Sequence, residues 1–471
     1  MSTGTGHDVV LYTLSDLFDG LGLSAGVWGG GGDMSQVFGR VGAVVCAATA
    51  TVATVATLVV PVRGDAVDGR YASVAAGWTV PKVLGTTPAN FGYTSLVASP
   101  NGDLTVLWTK PHGMVSRTLR AGGRWTSPSP LRGSGEAQRL GSDARGNLTA
   151  LFTAQDQGVV MAATKRRGGP WSAPQRISSI PRRGGCRVHP FFQSLAVSPR
   201  GSAVAAWVMI SEDCVVREPV EVSYRPPGGH WRHWLVLAYG SSVEGVAFSP
   251  RGRPMVLLSG KTLRVLWRTS RGWQQAGDAV AGRVEGAGLA VGPHGHLVVV
   301  MERHVRTGGV ASHQILGSRW VGGHWTVPVE IAQETTPGSG GLAVGVDAFG
   351  TATVLWTSEA VRVARWRVAH TPSSPRTLLA HDGWAPLLRV AGGGAATVLV
   401  ERVTDGWKTR LVAFSRGAHG SWSQAEAVSR RRLVSTYVSE ALDISYHGRA
   451  FVSWADNGDA GPTAVRLASH R

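Results

Sequence analysis

A glycine recurs eight times along this 471-residue chain with apolar neighbours at fixed distances, and that register limits the available folds more than any other feature. The glycines are Gly102, Gly146, Gly201, Gly252, Gly295, Gly350, Gly394 and Gly448. Six residues after each stands a large apolar residue: Trp108, Phe152, Trp207, Leu258, Met301, Trp356, Val400 or Trp454. Six residues before each stands Leu or Val: Leu96, Leu140, Leu195, Val246, Leu289, Val344, Leu388 or Leu442. The intervals between glycines run from 43 to 55 residues while the register inside a unit stays fixed, as happens when one supersecondary module is copied along an array.

Each unit predicts four strands. A short apolar strand precedes the glycine, as in 195–199, and Pro-x-Gly at 100–102, 199–201, 250–252 and 293–295 supplies a turn in which glycine is free to take positive φ. The strand after it is apolar at nearly every position, so it must be covered on both faces. A third strand follows, such as 220–225 or 262–268. Gly-Gly-x-Trp then opens a fourth at Trp125, Trp171, Trp231 and Trp325, with shorter Gly-x-Trp forms at Trp78, Trp273 and Trp422. In the unit of Gly350 that Trp is missing, and 371–379 takes its place.

Four-stranded units of this length with doubly buried inner strands predict an all-β chain, an eight-bladed β-propeller of antiparallel blades. Residues 245–267 resemble the first three strands of a WD40 blade, although the His and Trp-Asp signatures of that family are missing. With the pre-glycine strand innermost, the chain opens on an orphan outer strand at Trp78 and ends on three strands at 463–471. The orphan would complete the last sheet and close the ring; an open β-solenoid is the alternative. The propeller spans 77–471 as one domain. Within it, Trp-Ser-x-Pro and Ala-Val-x-x-x-Gly-x-Ala repeats resemble those of actinobacterial secreted propeller-like proteins, a likeness that implies no defined activity.

The N-terminal region differs. Residues 41–60 carry no charge and are about as long as a bilayer-spanning helix requires, but their Ala and Thr content makes them marginally hydrophobic. Arg40 precedes them, and Gly64 and Ala66 offer a signal-peptidase site. Segment 41–62 therefore reads as a signal peptide or a retained membrane anchor in an apolar helix outside the propeller, with 63–76 a linker. Residues 1–40 form a leader whose first 33 positions hold four Asp and no Lys or Arg, so Met34 is a candidate start. The propeller is expected to be secreted or membrane-anchored outside the cytoplasm. Its two cysteines, Cys186 and Cys214, fall in loops at the same end of one blade, which allows a disulfide in an oxidising compartment or leaves two thiols. With His189 as the sole companion, they predict no metal site, and no cofactor is expected.

Charge follows the repeat. The third strands and the hairpins after them hold 18 Lys or Arg and one acid, Glu221, a surplus equal to the whole net charge of +17. In a propeller these segments share one face and the outer rim. Arg120, Arg167, Arg271 and Arg367, from four different units, would then stand in a basic ring facing an anionic envelope polymer, a glycan or an acidic protein, or would serve solubility alone. No nucleic-acid-binding module accompanies the charge, so nucleic acid is not an expected partner, and the chain is expected to be monomeric. On the opposite face run the long connections 178–194, 209–219, 302–311, 332–341, 401–407 and 429–440. Arg182, Arg183, Arg187, His189, Glu212 and Asp213 would gather there beside the cysteines, as a binding cluster or a solvated loop.

Catalytic motifs are missing: there is no Gly-x-Ser-x-Gly elbow, His-Glu-x-x-His motif, phosphate-binding loop or dinucleotide fingerprint. The Ser-x-Asp-x-Gly-x-x-Trp box of sialidases is replaced by Ser-Pro-x-Gly turns. A sialidase-like glycan hydrolase, with Arg303, Glu302, Glu401 and Arg402 as available residues, is the alternative to a binding scaffold. An arginine triad with paired acids in the channel would mark the enzyme, and a channel lined by Val, Ala and Ser the scaffold.

Overall fold

Each of the eight glycines makes the turn that the sequence predicts. Their φ angles lie between +74° and +92°, a region that favours glycine. In all eight the glycine N–H donates to the carbonyl three residues earlier, at 2.8–3.1 Å. The residue after the glycine closes the loop by accepting from that same earlier residue, as Asp103 O does from Ser99 N. This is a three-residue hairpin with a glycine bulge, and it fixes the pairing beyond it. The residue six before the glycine lies opposite the residue four after it in every blade, from Leu96 opposite Val106 to Leu442 opposite Val452.

The computed structural model describes residues 77–471 except 88–92, 134, 155–156, 180–181, 184–185, 212–217, 282–283, 308–309, 336–340, 382, 406–407, 430–432, 435–439, 446, 457–462 and 471. The described chain forms eight antiparallel sheets arranged as a propeller. In blade 1 the strands run outward as Thr94–Ala98, Leu104–Lys110, Gly113–Leu119 and Ser129–Leu131. Blade 8 contains Glu440–Ile444, Ala450–Asp456 and Thr463–Ser469, and its outer strand is Lys82–Thr87 from the other end of the chain. Closure is thus observed, and the open solenoid is excluded. Trp78 adds a bridge to His470, and Thr79 N–H donates to Ser469 O at 2.9 Å. The leader, the apolar run 41–60 and the linker lie outside the described residues. Among the described residues no helix is long and apolar enough to cross a membrane.

Between successive blades lie eight apolar clusters, one per seam. The residues six after the glycine are 0–1 % exposed and belong to the seam with the preceding blade: Trp108 packs with Phe451 and Val465, and Trp207 with Leu151, Val160 and Ile177. Covering both faces of the inner strands in this way removes from water the apolar pattern read in the sequence. Polar ties are buried with it. Trp207 Nε1 donates to Glu221 Oε2 at 3.0 Å and Trp356 Nε1 to Glu334 Oε1 at 3.0 Å.

Several expected loops are strand instead. Segment 178–194 contains Arg182–Arg183 paired to the start of Cys186–Val197, so Cys186 stands in a strand and not in the connection. In blade 5, Leu297–Thr307 and Val310–Val321 pair out to Thr307 opposite Val310, and in blade 7, Ala396–Asp405 and Lys408–Arg416 do the same. These ribbons project beyond the buried core, so their residues turn polar without leaving the ladder.

Two outcomes test the architecture. Removing residues 67–87 is expected to expose the third strand of blade 8 and give aggregated or oligomeric protein with a lowered melting temperature in size-exclusion and thermal-melt experiments. Trp207→Ala should cost about 3–5 kcal/mol in urea unfolding, because it opens a cavity and strips buried Glu221 of a donor; a loss below about 1 kcal/mol would contradict the seam packing.

Candidate functional site

The strand geometry puts the glycine turns and the hairpins between third and fourth strands on one face, called here the turn face. Blades 1 and 2 line an open cavity of about 330 Å³ there. Asp103, the residue after the first glycine and 3 % exposed, anchors it. Its carboxylate takes Arg120 of its own blade and Arg167 of the next, each at 2.9 Å, together with the N–H of Ala121. Burial pushes the Asp103 carboxyl up, but the bonds from Arg167, Ala121 and Arg120 outweigh it and hold the group below the usual carboxylate range. The lining also includes Lys165, Arg166, Thr105, Thr118, Thr126, Ser127 and Ser129. Lys165 is buried, with its ammonium 5.8 Å from the centre of the Trp171 ring. Burial, then the charge of Arg120, lowers its proton affinity. Four cations against one acid, beside a row of hydroxyls, make a wall suited to an oxyanion.

Two of the four rim arginines named from sequence, Arg120 and Arg167, therefore meet at one carboxylate although 47 positions part them. Arg271 and Arg367 are exposed in the equivalent hairpins of blades 4 and 6. The ring itself needs correction, because third-strand cations serve two ends. Arg225, Arg319 and Arg416 turn into the seams: Arg225 donates to Thr149 of the preceding blade at 2.9 Å, Arg319 to Gly350 O of the following blade at 2.7 Å, and Arg416 to Thr353 of the preceding blade at 3.3 Å. Each also lies over a tryptophan, closest for Arg319 at 4.1 Å from the Trp366 ring centre. These are ties between blades, and they subtract from the free charge of the rim.

On the opposite, loop face the proposed cluster is described only in part. Arg182 pairs with Arg187 and Arg183 with Cys186 in the backbone ladder, and His189, half-buried, pairs with Ile210. Glu212, Asp213 and Cys214 lie outside the described residues, so the cluster and the disulfide remain expectations.

The centre of the ring holds a second cavity, of about 90 Å³, walled by inner strands of blades 1, 2, 3, 7 and 8. Its wall mixes Ser95, Val97, Ala98, Gly141 and Ala196 with Arg139, Arg389, Glu440 and Asp443. Asp443 accepts from Ala98 N–H at 2.7 Å across the closing seam, and Arg389 stands 3.7 Å from its other oxygen. Burial, then the charge of Arg389, pulls Arg139 down to about 10. Two arginines, not three, reach this cavity among the described residues. Of the other residues available to a hydrolase, Arg303 is bound to Gln314 at 2.9 Å, Glu302 lies against His313 in blade 5, and Arg402 is exposed.

Glu401 and Glu440 share a hydrogen bond in the seam between blades 7 and 8. Burial raises Glu401 to about 7, and burial, then the charge of Glu401, raises Glu440. A carboxyl raised in the fold holds a proton that it releases on unfolding. Its contribution is complete below the unfolded value of about 4.3 and is lost as pH rises through 7. Glu440→Gln should therefore flatten a decline in unfolding free energy on the order of 2–3 kcal/mol between about pH 5 and 8; equal slopes in parent and variant would remove the shared proton.

No family model matches the chain, and no curated protein does. Solved structures do. A lectin from Burkholderia pseudomallei is similar at a TM-score of 0.50 and 16 % identity, over 72 % of this chain and 99 % of that one. Virginiamycin B lyase from Staphylococcus aureus aligns at 0.41 and 9 % identity over 83 % and 99 %, and a Hadza microbial sialidase at 0.36 and 13 % over 59 % and 66 %. At such identities the lectin bears on the fold alone, which it supports.

Proposed function

We propose that this chain is a non-catalytic binding scaffold that takes an anionic glycan or envelope polymer on its turn face, in the cavity between blades 1 and 2. The observation that carries the reading is that cavity: about 330 Å³, with Arg120, Lys165, Arg166 and Arg167 around it and hydroxyls beside them. The volume is at the lower end of the roughly 300–1,000 Å³ typical of small-molecule sites, enough for one charged sugar of a polymer. Carboxylate or sulfate oxygens would take bonds from Arg166 and Lys165, and sugar hydroxyls would face the Thr and Ser side chains. Exposed Arg271 and Arg367 would extend the attraction along the rim. Export to the envelope, as a secreted or membrane-anchored protein, fits the apolar run 41–60 and belongs to the same proposal.

A sialidase-like hydrolase is the second reading, supported by Arg139, Arg389 and Glu440 at the channel, with Glu401 bonded to Glu440 behind it. Size weighs against it, since about 90 Å³ falls well below the range for a bound sugar. The test is the full-length chain on an array of uronate, sialylated, sulfated and neutral glycans, with hydrolysis followed on the same array. Retention by acidic members alone is expected, weakening as salt rises from about 50 to about 500 mM, with no product released. Arg166→Glu with Arg167→Glu should weaken retention at least about tenfold, near 1.4 kcal/mol. Binding unaffected by salt and by this pair would overturn the proposal, and product release would favour the hydrolase.

A further inference from the structure

Blade 5 carries a group of side chains that neither the binding site nor the repeat accounts for. Glu285 immediately precedes the inner strand Gly286–Val291, Glu302 lies on the second strand opposite Gly286, and His313 lies on the third. Glu285 N–H donates to Glu302 O at 2.9 Å, which locks the first two backbones together. Three strands thus deliver three side chains to one point at the loop-face end of the sheet. His313 Nδ1 stands 3.2 Å from Glu285 Oε2 and 3.1 Å from Glu302 Oε1, and the three atoms lie within 4.8 Å of one another.

The second observation concerns the imidazole itself. His313 is 6 % exposed, yet Nδ1 makes no hydrogen bond, although two carboxylate oxygens lie at hydrogen-bond range. The two nitrogen–oxygen distances, 3.2 and 3.1 Å, match those between companion ligands of one ion, since ligands about 2.0–2.1 Å from it are about 3.0–3.4 Å from each other. Two carboxylates close together repel one another unless a cation or a proton lies between them.

We propose that Glu285, Glu302 and His313 form a site for one divalent transition cation, of which Zn²⁺ is the representative. An imidazole with two carboxylates selects against the all-oxygen preference of Ca²⁺ and Mg²⁺ and suits Zn²⁺ or Mn²⁺. Glu302 and His313 are buried while the Glu285 side chain is 45 % exposed, so the shell opens to solvent on the Glu285 side. Three protein ligands and an open position leave room for a water or an oxygen donor from outside. The ring of His304 lies 5.2 Å from that of His313, tilted by 34°, and braces it from the paired strand. The site is on the opposite face from the basic cavity and does not depend on it.

The test uses the full-length chain, stripped with EDTA and titrated with Zn²⁺ by calorimetry, with Co²⁺ absorption as a second readout. One equivalent is expected in the parent, with micromolar or tighter affinity and a raised melting temperature. Glu285→Gln, at a half-exposed position, should leave the EDTA-treated melting temperature unchanged, weaken that equivalent at least tenfold and remove its Co²⁺ bands. His313→Gln should remove it altogether; should that variant fail to fold, Glu285→Gln decides alone. No uptake by the parent, or uptake that Glu285→Gln leaves intact, would show an ion pair in place of a metal site and overturn the proposal.

Discussion

A glycine held at positive φ in every inner hairpin is the constraint from which the structure follows. Because the hairpin closes the same way eight times, the residue six before the glycine meets the residue four after it in all eight blades. A slip of one position would turn every side chain to the wrong seam. With the register fixed, the large residues six after the glycine all reach back to the preceding blade, and the ring is held by eight copies of one packing solution. Variation is then free to collect at the strand ends, where the charged groups are found.

Those ends divide the work of arginine. At the turn face the same third-strand position can turn into a seam, as Arg225 and Arg416 do by donating to a threonine of the preceding blade, or stay at the surface. In the first two blades Asp103 draws Arg120 and Arg167 together and leaves Lys165 and Arg166 beside them. A cavity with converging cations arises where one blade supplies an acid at the position after its glycine and the next supplies a run of three bases. The loop face is organised differently, by ribbons that prolong the second and third strands and carry Glu302, His304 and His313.

The architecture was legible because the repeat states it eight times, and because Trp78 at one end matches a missing strand at the other. What could not be read depends on contacts without a sequence period. Asp103 and Arg167 are 64 positions apart and meet through blade packing, so no motif joins them. The polar stretch after Met301 reads as a loop, since periodicity detects apolar burial and the half-buried or exposed positions from Arg303 to Arg306 carry little of it. Glu285, Glu302 and His313 follow no ligand spacing, because each comes from a different strand. Even the basic ring was half legible: charge marks the third strand, but only packing decides which guanidinium faces water.

The joining of the two ends also sets an order of events. Ser469 donates to Thr79, 390 positions earlier, so the first strand among the described residues is the last to find its partner. At about 5–20 residues per second of synthesis, that interval lasts roughly 20–80 s. Throughout it Lys82–Thr87 is an unpaired strand, a template for wrong pairing. Its sequence meets the hazard: Lys82 places a charge on the strand, and Gly85 weakens its intrinsic tendency to pair. The same glycine fits the finished ring, where a Cβ would come within 2.9 Å of the Trp108 ring. One small residue thus serves the waiting chain and the closed one.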